Sequence, residues 1–179
     1  MIVRAALDSD AEALAAIYGH AVLHGFGTFE ETPPQPRDMA ARLADITARG
    51  LPYVVAEDAG RVLGYAYASP FRPRPGYRFT VEDSVYVAPD AVGRGVGTAM
   101  LSEVLSACEA LGVRQVIAVI GDSGNAASIG LHRALGFRDS GIGRGLGFKH
   151  GRWVDIVWMQ KPLNGGDAVL PTGPGVRIA

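Results

Sequence analysis

The sequence predicts an α/β domain, with a mixed central sheet of about six to seven strands flanked by about four helices. Three observations predict it. Secondary-structure signals run in the order β-α-α-β-β-β-α-β-α-β-β. A strand ending at Val87 is followed by Gly93-Arg94-Gly95-Val96-Gly97-Thr98 and then by a helical apolar stripe. Val116 to Ile120 is a continuous apolar run, the pattern of a strand buried on both faces.

Residues 2–6 read as a short strand. Ser9 and Glu12 fit a capping box, opening a helix with Leu14, Ile17, Tyr18 and Ala21 on one stripe. Residues 25–36 hold Gly25, Gly27, Thr28 and three prolines, a loop of the kind that carries recognition on a rigid scaffold. Pro36 suits the first turn of a second helix, with Met39, Leu43 and Ile46 inward and Gly50 past its end. Tyr53–Ala56 and Val62–Ser69 are strands joined through Asp58-Ala59-Gly60-Arg61, a hairpin turn. After the Pro/Arg loop from Pro70 to Gly76, residues 79–87 alternate. Phe79, Val81, Asp83, Val85 and Val87 face one way; Thr80, Glu82, Ser84 and Tyr86 face the other, provided no bulge intervenes.

The third helix carries Met100, Leu101, Val104, Leu105, Cys108 and Leu111 as its apolar residues and stops at Gly112. Asp122-Ser123-Gly124-Asn125 is a turn and cap before a short helix, Ala126 to Leu135, which ends at Gly136. Phe137–Phe148 and Trp153–Gln160 read as two last strands. Gly141, Gly143, Gly145 and Gly147 alternate in the first of these, where a bulged or loosely paired segment is expected. The domain is read as residues 1–163. Residues 164–179 are rich in Gly and Pro, lack periodicity, and are expected to be a flexible tail.

Composition narrows the function classes. The 179 residues carry 17 Lys+Arg against 18 Asp+Glu, a net charge of -1. That balance argues against nucleic-acid binding and against a polybasic membrane anchor. The lone cysteine, Cys108, rules out a disulfide framework or a Cys-rich zinc site. His20, His24 and His150 make no metal-ligand spacing, and no metal is expected. No apolar run approaches the ~20 residues of a membrane helix, and the N-terminus does not read as a signal peptide. A cytoplasmic protein is expected. Glycine is unusual, at 24 residues, roughly twice the 7% of an ordinary chain.

Three of those glycines bear on function. The first N–H groups of a helix lack intrahelical partners and sit at its positive end. Glycines let a phosphate approach them without a Cβ in the way. The spacing is not the dinucleotide G-x-G-x-x-G, because Thr98 stands where the third glycine would be. No P-loop motif is present.

Val92-Gly93-Arg94-Gly95-Val96-Gly97 resembles the Q/R-x-x-G-x-G/A loop of the Gcn5-related N-acetyltransferase (GNAT) superfamily, with Val92 in place of the Gln/Arg. Other stretches resemble its phosphinothricin/methionine sulfoximine N-acetyltransferase branch. They are Phe71–Pro75, Tyr77–Val87, Ala118–Asp122, Asn125–Ile129 with Leu131-His132, and Phe148–Trp153. The resemblance covers residues 2–163. It implies acetyl transfer from acetyl-CoA to a primary amine, and a sheet splayed between its fourth and fifth strands. It implies pyrophosphate on Gly93, Arg94, Gly95, Val96, Gly97 and Thr98, pantetheine pairing along Val85, Tyr86 and Val87, and a cofactor contact from Asn125.

An ammonium must lose a proton before it can attack a thioester. The resemblance assigns the base to Glu82; Asp83, on the other face, is second choice. The departing thiolate needs a proton donor, and His132 stands at the place where many relatives have Tyr. A free backbone N–H near Val85 to Val87 would hold the charge developing on the carbonyl oxygen. Arg72, Arg74 and Arg78, with Pro73 between the first two, suit the anionic oxygens of a phosphinate or sulfone-like side group. Phe29 and Glu30 would wall the pocket or meet the amino group. Cys108 falls on an apolar stripe, so direct attack in a ternary complex is expected over an acetyl-cysteine route. Relatives of this type are commonly homodimers. Two other readings share the scaffold: acetylation of protein N-termini, and a non-catalytic acyl-CoA-binding module.

Overall fold

The structure, a computed structural model, describes residues 1–178. Its strands are β1 (Ile2–Ala5), β2 (Tyr53–Asp58), β3 (Arg61–Pro70), β4 (Thr80–Val87), β5 (Gln115–Gly121), β6 (Arg138–Lys149) and β7 (Arg152–Pro162). They form one seven-stranded sheet in the order β1-β2-β3-β4-β5-β7-β6. Only β4 and β5 pair in parallel, because helix α3 (Val96–Ala110) crosses between them; the other pairs are antiparallel. The remaining helices are α1 (Ala11–His24), α2 (Pro36–Ala48) and α4 (Ala126–Ala134).

The alternation predicted for β4 holds. Its register with β3 runs unbroken from Gly64↔Val87 to Pro70↔Val81. Val81 and Asp83 are buried, and Val85 and Val87 meet α3 at Gly97. On the opposite face Tyr86 stacks with Tyr65 and meets Tyr18 of α1 edge-on, 4.9 Å between ring centroids. Helices α1 and α2 therefore cover one face of the sheet, and α3 with α4 the other. Leu14 and Val22 fill the first layer; Met100, Leu101 and Val104 fill the second, each with 0% exposure.

One expectation is corrected. The Ser9/Glu12 capping box does not form. Residues Asp8–Asp10 make a 3₁₀ turn, and the Asp10 carboxylate accepts from the Leu7 N–H at 2.8 Å and from Arg4 at 2.8 Å. A carboxylate that can take a bidentate arginine outcompetes a serine hydroxyl at this helix entry. The residues after Leu163 make contacts with the domain. Val176 donates its N–H to the Arg78 carbonyl at 2.7 Å. Arg114 donates to the carbonyls of Val169 and Leu170, and Arg49 to that of Ile178, each at 2.7 Å. Backbone carbonyls meeting half-exposed arginines need no sequence periodicity. Ala179 lies outside the described residues.

The late glycines find their reason. The β6–β7 register shifts between Asp139 and Gly141 and between Gly143 and Gly147, so the segment is bulged as expected. A methyl on Gly143 would overlap Leu146 and Trp158, and one on Gly147 would overlap the ring of Phe29.

Candidate active site

The site is made by a fork in the sheet. β4 and β5 pair from Thr80↔Gln115 to Asp83↔Ala118, and there the ladder stops. Beyond it β5 stays paired with β7 as far as Gly121↔Ile156, while Ser84–Val87 of β4 keeps only its partner β3. One edge of Ser84–Val87 thus has no strand beside it, as the expected splay requires. A slot of about 130 Å³ opens in the fork, lined by Ser84, Val85, Tyr86, Val119, Asn125 and His132 among others.

The glycine loop follows directly. Gly93 and Gly95 have φ of +79° and +78°, with open space where a Cβ would stand. Only glycine takes that conformation without strain. Gly95 is the N-cap of α3, and the first rung of the helix is Ala99 N–H to Gly95 O at 3.0 Å. The amides of Val96, Gly97 and Thr98 precede that rung and form the helix's positive end. Gly97 serves differently: a Cβ there would crowd Leu131 of α4 at 3.1 Å, while Val85 and Val87 would stand in ordinary contact at 3.7 Å. It lets α3 lie close to α4. A cradle open to an anion and a strand edge open to an amide chain suit a phosphate-bearing, pantetheine-like arm. Arg94 is exposed and stands 3.8 Å from Asp58.

Glu82 and His132 reach β4 from opposite faces. Glu82 is 30% exposed at its side chain, with the Arg72 guanidinium 3.9 Å away. Burial pushes the Glu82 carboxyl above its ordinary pKa; Arg72 pulls it back and the charge of Asp83 adds to the rise. His132, on α4, is 4% exposed. Its Nδ1–H donates to the Ser128 carbonyl at 2.7 Å, and its Nε2 meets Asp83 Oδ2 at 2.9 Å. Burial works against the charged ring, yet the Asp83 hydrogen bond and charge and the Ser128 carbonyl outweigh it, so its pKa is raised.

Asn125 caps α4: its side-chain oxygen accepts from the Ser128 N–H at 3.1 Å. Glu30 pairs with Arg42 of α2 at 3.0 Å. Phe29 lies over Gly147, so the loop after α1 is seated on the β6–β7 hairpin. Arg72 donates to its own loop at the Phe71 carbonyl, 2.8 Å, and stacks on the Phe71 ring. Pro73 and Arg74 are exposed beside it. The structure does not bring Arg78 to this group: its guanidinium bonds Pro75 O at 3.1 Å and lies over Phe79. Cys108 is buried and its thiol is pushed up to about 12 by burial.

Two pairings lie beyond what local sequence shows. Asp83 is the second-choice base by sequence, and alternation alone does not show that a helix brings His132 to it. Lys149 has 1% exposure and donates from Nζ to the Thr28 carbonyl at 2.8 Å. It pins the loop after α1. Among the described residues no group of His, Cys, Asp and Glu is placed to hold a metal, and no helix is long and apolar enough to cross a membrane.

Known proteins are similar to this chain. The phosphinothricin N-acetyltransferase of Alcaligenes faecalis is 54% identical over 169 residues, covering 94% of this chain and 86% of that protein. The L-methionine sulfoximine/L-methionine sulfone acetyltransferase of Pseudomonas paraeruginosa is 45% identical, over 90% of this chain and 94% of that protein. The crystal structure of a GNAT-superfamily phosphinothricin acetyltransferase from Sinorhizobium meliloti, in complex with AcCoA, superposes with a TM-score of 0.93. It is 51% identical and covers 97% of this chain and 94% of that one. The acetyltransferase (GNAT) family profile matches residues 19–137. From the forked sheet, the glycine cradle and these matches together, the chain belongs to the GNAT family of acetyltransferases.

Proposed function

We propose that this enzyme transfers the acetyl group of acetyl-CoA to the primary amine of a small amino-acid-like molecule of the phosphinothricin, methionine sulfoximine or methionine sulfone type. The observation that carries the reading is the unpaired edge at Ser84–Val87 with Glu82 two residues before it on the same strand. The relatives named for those substrates support the choice of acceptor. The catalytic unit is residues 1–163.

Each residue has a role in this account. The amides from Gly93 to Thr98 receive the donor's pyrophosphate, with Arg94 at the rim. Val85, Tyr86 and Val87 offer backbone groups to the pantetheine arm, and Asn125 closes the slot at the start of α4. Acetyl-CoA supplies an activated thioester carbonyl. Glu82, with its raised pKa, takes the proton of the ammonium, directly or through a water. The freed amine forms the N–C bond as the C–S bond breaks. A backbone N–H on the open β4 edge holds the charge on the carbonyl oxygen, and His132 provides the proton for the departing thiolate. The nitrogen's surplus proton returns to solvent. Arg72 and Arg74 receive the acceptor's anionic oxygens, with Pro73 stiffening their loop and Phe29 and Glu30 forming the opposite wall. Arg78 supports that loop from below by its bond to Pro75. A buried Cys108 thiol held near 12 supports direct attack in a ternary complex.

A cytoplasmic homodimer completes the reading. Leu146, Phe148 and Trp153 are 57%, 56% and 67% exposed on the β6–β7 hairpin, an apolar face for a second copy.

The test is thiol release from acetyl-CoA with a panel of amines. Methionine sulfoximine, methionine sulfone and phosphinothricin should give release well above free amino acids and N-terminal peptides. Release with none of them overturns the enzymatic reading, and release with peptides alone moves it to protein N-termini.

A further inference from the structure

Asp83 is a buried carboxylate with one partner. It is 6% exposed, and the only hydrogen bond or ion pair it makes among the described residues is Oδ2 to His132 Nε2 at 2.9 Å. Its other oxygen, Oδ1, is buried without a partner. His132 is equally confined. Its Nδ1–H is spent on the Ser128 carbonyl, with Phe137 edge-on against the ring at 5.0 Å. A ring that donates from Nδ1 to a carbonyl has only Nε2 left to meet a carboxylate. The two side chains therefore hold one exchangeable proton between them, as imidazolium–carboxylate or as imidazole–carboxylic acid. Both residues line the slot in the fork of the sheet.

We propose that Asp83 is the positioning residue of His132: it fixes the ring's orientation and keeps a proton on the pair for the departing thiolate. This rests on the reading of His132 as proton donor. As the C–S bond breaks, its electron pair leaves on sulfur. The sulfur takes the pair's proton, and the pair, now with a net negative charge in a buried place, recovers a proton from solvent. An uncompensated buried charge makes that recovery favourable.

Other titratable groups around the pair do not supply this proton. Glu82 lies on the opposite face of β4, its pKa raised in part by Asp83. Cys108, facing Asp83 from α3, has its thiol held near 12 by burial and by Asp83's charge, and stays neutral. Ser128 offers a hydroxyl 3.4 Å from Nδ1, which does not titrate.

The experiment compares the wild type, Asp83→Asn and His132→Gln. The amide of Asp83→Asn keeps the shape and can donate to Nε2, which favours the neutral ring. In the protein without donor, the imidazole ¹⁵N signals of His132 should titrate at lower pH in Asp83→Asn than in wild type. The alkaline fall of kcat should move down in pH by the same direction, with kcat near neutrality lower by roughly ten- to hundredfold, less than the complete loss of an acid. KM for the amine should change little. A His132 titration and an alkaline limb both unchanged in Asp83→Asn, or a kcat lowered equally at every pH, overturn the proposal. Full activity in His132→Gln refutes the donor reading itself; the ¹⁵N titration then still decides whether Asp83 controls the charge of the ring.

Discussion

Replacing Glu82 by Gln is expected to lower kcat/KM for the amine by about 10²–10³-fold near neutral pH. The substitution keeps the side chain's size and removes its ability to accept a proton. Glu82 is partly buried with Arg72 3.9 Å away, so an amide fits where the carboxylate stood. The loss should shrink as pH rises, because the substrate then sheds its ammonium proton to solvent. In the wild type the base must be ionised, and activity falls as pH falls through its pKa. Burial raises that pKa, so the acid limb should lie above the ordinary glutamate range. Arg72→Ala removes the group that pulls it down and should move the acid limb to still higher pH. Initial rates of thiol release across pH decide the matter; a Glu82→Gln enzyme with the full wild-type profile would remove Glu82 from the base role.

Gly121→Ala is expected to give the largest loss of stability for one methyl group. Gly121 ends β5 inside the fork, and a Cβ there would overlap the Phe26 carbonyl oxygen, with Gly27 close behind. Those atoms are backbone, so no rotamer change relieves the overlap, and the loop after α1 must move away. Overpacking of this kind costs about 3 kcal/mol, or roughly 6–12 °C in Tm for a domain of this size. The displaced loop carries Phe29 and Glu30, so KM for the amine should rise as well. Thermal unfolding and amine kinetics of the purified variant check both; an unchanged Tm would show that the loop does not lie against β5.

Much of this was legible in the sequence, for physical reasons. Alternation along Phe79–Val87 fixed which face each β4 side chain takes, because the strand is unbulged against β3. Gly93 and Gly95 announced the cradle because their positive φ admits little else. Long-range pairings were not legible. The partner of Asp83 comes 49 positions later on another element. Lys149 is buried by a loop 121 positions earlier. The contacts that Arg49 and Arg114 make with residues 169, 170 and 178 use carbonyl groups that every residue possesses. Gly143 and Gly147 read as looseness in a strand, whereas in space they are room for Trp158 and Phe29. Periodicity reports which face a residue takes, and never what arrives there from a distant part of the chain.

In the proposed function the donor lies in the fork between β4 and β5 with its phosphates on the start of α3. Amide hydrogen exchange with and without saturating acetyl-CoA tests it directly. Slowed exchange is expected at the amides of Ser84–Val87 that face away from β3 and at Val96, Gly97 and Thr98, which precede the first helical rung. Unchanged exchange in those two segments, with protection appearing elsewhere on the domain, would contradict it.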